Sequence, residues 1–305
     1  MSVLNFKPEI WSKVILGALQ KRLVYGSPMV VNNDYEGEVS GPGSTVHITQ
    51  FGDPQVSSYS PGGTITYQPL NDVGQTLVID QARSFSFSID DVDKRQAAGD
   101  MQRYLETRAA YKLADVTDQF IASKYTLAAA NNILGSTGSP LTPQPYSLGG
   151  ASTWHPADFW TMVLEPLKVR LDEANVPEDG RYIVVPPWAH SLITQTQGFV
   201  AETDSAGNAT PAMQRGFMGM ISGFGAVLKS NNCPQPVAGG PGTGVWAVMA
   251  GHPMAITFAE QIAETEALRL QTTFADGVRG LHVYGAQVIR PDCIAVAYVQ
   301  RPTGV

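Results

Sequence analysis

Charge is scarce in this chain. Of its 305 residues, 15% are Asp, Glu, Lys or Arg, well below the average of about 25%. A folded monomer of 32.7 kDa exposes about 12,000 Å², which leaves about one charge per 260 Å² against about 160 Å² at average content. So neutral an outside suits a chain covered by other subunits, and equally a secreted Gly/Ser/Thr-rich enzyme. Cysteine is scarce too: Cys233 and Cys293 lie far apart with no second Cys or His at ligand spacing, which signals neither a disulfide framework nor a zinc site. The balance of 20 Lys+Arg against 27 Asp+Glu shows no basic stripe and argues against a dedicated nucleic-acid binder. No apolar run approaches the roughly 18 residues of a membrane-spanning helix. The run Val14 to Leu19 is short, contains Gly17 and precedes Lys21 and Arg22. It makes no signal peptide, and synthesis in a reducing cytoplasm is expected.

Catalytic motifs are missing as well. There is no HExxH, no Walker loop and no GxSxG, and His47, His155, His190, His252 and His282 are scattered singly, as structural or surface histidines are. Gly242-Thr243-Gly244-Val245-Trp246-Ala247 matches GxGxxA but follows Gly-Gly-Pro and reads as a flexible turn. Asp90, Asp91 and Asp93 lack the further ligands of a calcium loop and read as helix-capping groups. Neither a metal nor a cofactor is indicated. A pair of carboxylates for glycoside cleavage stays open, because their separation belongs to the fold.

What is present is an order of elements. Ile10, Trp11, Val14, Ile15, Ala18, Leu19 and Leu23 fall at helical spacing with Lys13, Gln20, Lys21 and Arg22 between them, predicting a short amphipathic helix that packs on protein. From Tyr35 to Asp90 the period becomes two, with strands at Thr45–Thr49, Thr64–Tyr67, Thr76–Ile79 and Ser84–Ile89 and turns at Gly52-Asp53-Pro54 and Ser60-Pro61-Gly62-Gly63. Few large aliphatics occur there, so this long hairpin region is expected to project rather than wrap a core of its own. Arg83 is its one Lys or Arg among seven acids from Asp34 to Asp90, a negative field that suggests a basic docking surface elsewhere.

A helix follows, with Asp90 or Asp91 as N-cap and Ala98, Met101, Leu105, Ala109, Leu113, Val116 and Phe120 as its apolar steps. Running to about Ala130, it would span roughly 55 Å. Gly135 to Gly150 reads as a loop, His155 to Ala174 as a helix despite Pro166, and Val176 to Gly180 as a turn. Arg181 to Val185 is a buried strand, and Pro187 opens a helix to about Thr194. Glu202 to Thr210 is a polar loop, residues 256–274 fit strand or helix equally, and Leu281–Ile289 and Ile294–Val299 are closing strands.

This order, together with three stretches, resembles the major capsid proteins of tailed bacteriophages, the Hong Kong 97 fold family. The stretches are Val176 to Pro187, the glycine-rich Gly216 to Asn232, and Gly277 to Pro291. The resemblance implies an α+β fold with an N-terminal arm (1–33), an extended E-loop hairpin (34–90), a P-domain with a long spine helix (91–145 and 275–305) and an A-domain (146–274). It implies a non-enzymatic coat protein forming pentamers and hexamers of an icosahedral shell around double-stranded DNA in the virion, made in the host bacterial cytoplasm. Trp11, Leu19, Asp53, Pro54, Tyr59, Tyr67 and Arg83 are the expected subunit contacts.

Some members are cross-linked through an E-loop lysine, but residues 30–90 here hold no Lys, so a noncovalent shell is expected. Others carry a cleaved scaffolding region ahead of the arm, and the start near Met1 suggests a separate scaffolding protein. A portal protein, a decoration protein and packaged DNA in generic contact are further expected partners, and a membrane is not. The competing readings are an encapsulin-like compartment shell, a Gly/Thr-rich hydrolase, and a tail or baseplate protein.

Overall fold

The computed structural model describes residues 24–34, 45–51, 56, 58, 61, 72–90, 101–139, 141, 145–148, 151–154, 157–195, 221–270 and 274–302. The expected arm helix, the strand at Thr64–Tyr67 and the loop Glu202–Thr210 lie outside these residues.

Strands β1 (Thr45–Phe51) and β2 (Asp72–Val78) form an antiparallel pair. Their alternation turns Val46, Ile48, Leu77 and Ile79 to one side, where they pack with Ala259 and Val283 into a second small core. The hairpin region is therefore anchored at its base by a small core it shares with the neighbouring sheet. Four aliphatics suffice because the neighbouring sheet supplies the other wall. Gly285 permits this approach: a Cβ there would lie 3.0 Å from Ile79 Cα, and nearer still to the Val78 carbonyl oxygen. Gly285→Val must lift the hairpin base off the sheet, so we expect a loss of about 2 kcal/mol, measured as a lower urea midpoint and faster proteolysis between residues 45 and 78.

The supporting sheet runs in the order β10-β11-β3, with β3 at Gln81–Asp90, β10 at Ile256–Arg269 and β11 at Ala275–Val288. The ambiguous segment 256–274 is thus largely strand, decided by thirteen cross-strand partners from Ile256↔Val288 to Arg269↔Asp276. Asp90 ends β3 opposite Ala275, and the expected helix start at Asp90 to Asp93 otherwise lies outside the described residues.

Helix α1 (Met101–Ala122) gives way to a 3-10 turn at Ser123–Leu127, so the α-helix stops well short of Ala130. Its buried face carries Ala110, Leu113, Ala114, Thr117, Asp118, Ile121 and Ala122, while Val116 is exposed. The apolar steps read from sequence follow a neighbouring stripe, because two polar residues, Thr117 and Asp118, are buried for the bonds they make. Asn132 then pins the chain, its side-chain amide donating to the carbonyls of Asp292 (2.7 Å) and Ile294 (3.2 Å).

A five-stranded mixed sheet orders β4 (Ile133–Leu134), β12 (Ile294–Gln300), β9 (Val245–Gly251), β7 (Tyr182–Val185) and β8 (Ala226–Lys229). The two closing strands therefore enter different sheets, with β12 beside β9 and β11 beside β10 and β3. Between Leu134 and β7, the expected loop Gly135 to Gly150 contains β5 (Pro145–Leu148), which forms a small hairpin with β6 (Ala151–Trp154) just beyond it. Helices α2 (Glu165–Glu173) and α3 (Pro187–Gln195) bury Leu167, Leu171, Ala189, Leu192 and Ile193 in the main core with this sheet. Pro166 is accommodated by a π turn at Trp160–Leu164, since proline donates no N–H and its ring crowds the carbonyl four residues back.

Candidate functional site

Strand β3 is one edge of its sheet, paired with β11 from Gln81↔Tyr284 to Asp90↔Ala275. Its sequence alternates serine and phenylalanine. Phe85 and Phe87 are half-buried with ring centroids 6.3 Å apart, and Ser84, Ser86 and Ser88 are exposed. Arg83 stands exposed on this strand opposite His282, its guanidinium 3.4 Å from the Gln81 side-chain oxygen. Trp11, Leu19, Asp53, Pro54, Tyr59 and Tyr67 lie outside the described residues. An edge strand offers a row of backbone donors and acceptors to a further chain.

A second feature joins three segments. Asp118 on α1 is 3% exposed, and its Oδ1 accepts the backbone N–H groups of Val24 (2.8 Å) and Tyr25 (2.7 Å). Its Oδ2 accepts the Asn232 side-chain amide at 3.0 Å, which also donates to Asp115. The exit of the N-terminal segment, the long helix and the loop after β8 thus converge on one carboxylate. Burial pushes its pKa above the ordinary carboxylate range, and the bonds from Asn232, Tyr25, Val24 and Gly26 pull partly back. Beside it the Tyr25 hydroxyl meets the Cys233 thiol at 3.5 Å. Burial pushes that thiol up to about 12, so it stays protonated and inert near neutrality.

The turn after α2 is a third organised element. Asn175 takes φ 55, the Val176 N–H bonds the Leu171 carbonyl and the Asn175 N–H bonds the Asp172 carbonyl, the paired bonds of a Schellman end. Arg181, 1% exposed, donates to the carbonyls of Pro177 (2.9 Å) and Val176 (2.6 Å) and to Asp172 Oδ1 (2.5 Å). Its own carbonyl accepts from Gly225 and Ala226 at the start of β8. The guanidinium's planar fork reaches all three acceptors at once.

Chemistry is poorly served by what remains. His282 Nε2 lies 3.2 Å from Glu260 Oε2 with both side chains almost fully buried, a pair that holds β11 to β10 and opens to no solvent. Among the described residues no three His, Cys, Asp or Glu side chains gather closely enough to hold a metal. Sequence reasoning missed Asp118 and the Glu260–His282 pair, because a single acid or histidine in a run carries no signal of what it meets across the fold. Met29, Tyr111, Leu127, Val169 and Phe274 stand exposed, so apolar surface remains uncovered in the single chain. The arrangement is equipped to contact other chains.

Comparison with known proteins agrees. The family described as phage capsid protein matches residues 74–297. A solved structure from Mycobacterium phage Che8 is 30% identical, with 97% of this chain and 98% of that one covered and a TM-score of 0.65. The capsid structure of the cyanophage P-SCSP1u shares the fold at 16% identity, covering 86% of this chain and 85% of that chain at a TM-score of 0.65. A virus-like particle from Pyrococcus furiosus shares it at 12% identity over 95% of this chain and 98% of that one, at a TM-score of 0.52. No curated protein matches the chain.

Proposed function

The chain belongs to the phage capsid protein family, and from that premise we propose that it is the major coat subunit of a tailed phage, tiling as pentamers and hexamers around packaged double-stranded DNA. The observation that carries this reading is the family match across residues 74–297. In it, residues 1–33 form the arm and 34–90 the E-loop with its flanking strands; β1, β2 and β3 anchor it to its own chain, and the loop beyond them lies across a neighbouring copy and satisfies its backbone edges there. Residues 91–145 and 275–305 form the P-domain, and 146–274 the A-domain. The pairing of β10 with β11, and of β12 with β9, favours exchanging those two strands between the domains. Trp11, Leu19, Asp53, Pro54, Tyr59, Tyr67 and Arg83 are the proposed subunit contacts.

The shell is held without covalent links, since residues 30–90 contain no Lys to donate an amine. A scaffolding protein, a portal protein and a decoration protein are its partners during assembly, and DNA contact is generic, as the net charge of -7 limits adhesion to phosphate. Electron microscopy of the purified particles should show shells filled with nucleic acid, whereas shells filled with protein would favour a cargo compartment. Boiling those particles in SDS should release one band near the chain mass of 32.7 kDa, and a ladder of multiples would refute the noncovalent reading.

A further inference from the structure

The far end of the β10–β11 pair carries a knob and a hole. Phe274, beside the start of β11, is 81% exposed, which makes it the most exposed aromatic side chain among the described residues. Near it opens a cavity of about 340 Å³ lined by Leu268, Leu270, Gly277 and Arg279 and by Ser86 and Ser88 of the edge strand, on the sheet face opposite the Phe87 and Val278 side chains. Two ion pairs across β10 and β11, Arg269–Asp276 at 2.9 Å and Arg279–Glu266 at 2.5 Å, tie the walls together. Leu270 leans over Gly277, its Cδ2 3.3 Å from where a Cβ would sit. A benzene ring needs about 150 Å³, so this open groove has room for a benzyl side chain against Leu268 and Leu270. Its own chain's phenylalanine does not fill it, being turned to solvent.

We propose that Phe274 of one copy of the chain seats in this cavity on a second copy. The contact deepens the shell reading and rests on it, because a family whose members surround themselves with copies of themselves supplies the occupant. Knob and hole lie at the same end of the β10–β11 pair, so two copies can exchange the contact reciprocally or pass it on around a ring. Each such contact buries one aromatic side chain per subunit.

The test is made on chains produced in the phage host during infection. Phe274→Ser removes the knob and Ser88→Trp fills the hole. Both positions are exposed, so the unassembled variants should melt as the wild type does. Each should raise the concentration needed for particle formation by about tenfold or more, and Phe274→Leu should restore most of it. Oxidised particles containing both a Phe274→Cys chain and a Ser88→Cys chain should give a disulfide dimer on a non-reducing gel, with neither variant dimerising alone. Wild-type particles with Phe274→Ser and Ser88→Trp indifferent, or a dimer formed by Phe274→Cys alone, would overturn the contact and leave the shell reading standing. A wild-type chain that forms no particles at all overturns both.

Discussion

Asp118→Ala is expected to destabilise the unassembled chain by about 3 kcal/mol, because the buried Tyr25 N–H loses its acceptor outright and the half-buried Val24 N–H and Asn232 amide each lose a bond, at about 1–3 kcal/mol for each group left unsatisfied. Relief from holding a buried charge offsets part of this. Asp118→Asn keeps one acceptor for the two backbone groups and should lose less. The two substitutions also differ with pH. The folded-state pKa of Asp118 is raised, chiefly by burial, so its carboxyl binds a proton more tightly folded than unfolded. Stability from that proton is fully present below the ordinary carboxylate pKa and is lost as pH rises through the folded value. The deficit of Asp118→Asn relative to the wild type should therefore shrink between acid and neutral pH, read from urea midpoints at several pH values. A deficit that grows with pH would show the carboxylate to be stabilised by folding instead.

Arg181→Ala should be at least as damaging, at about 3–5 kcal/mol. The substitution leaves the Val176 and Pro177 carbonyls without their donor and empties the space of a side chain that is 1% exposed. The half-exposed Asp172 is rehydrated and adds little to the cost. Arg181→Lys retains the charge but cannot span three acceptors with a single ammonium, so it should recover only part of the loss. Thermal unfolding of the unassembled variants would measure both, and protease cleavage within Val176 to Gly180 would report where the structure opens. A lysine variant as stable as the wild type would show that charge alone holds the turn.

Elements whose pattern is local were legible in the chain. The strand at Thr45–Thr49, the buried Arg181–Val185 run and the helix opened by Pro187 stand where periodicity and turn residues put them. The same local reasoning misplaced the end of the long helix. The run without proline after Ala122 continues as 3-10 turns, because Asn132 is drawn aside by the carbonyls beside β12, a partner more than 150 positions away. It took Gly135 to Gly150 for loop throughout, since the four residues of β5 that pair with β6 beyond Gly150 are too few to show a period. It left residues 256–274 undecided, because the hydrogen bonds that make them strand come from β11.

The sequence by itself carried the resemblance. The order of arm, hairpin, long helix and mixed domain, with the stretches Val176 to Pro187, Gly216 to Asn232 and Gly277 to Pro291, is similar to that of phage capsid proteins, while composition alone left an assembling subunit and a secreted enzyme both open. Only the tertiary structure decided which side chains do the holding. Asp118, Arg181, the Glu260–His282 pair and the cavity beside Phe274 each depend on groups brought together from distant segments. Hydrogen bonding and burial act through space over a few ångströms, and a one-dimensional pattern carries no record of that proximity.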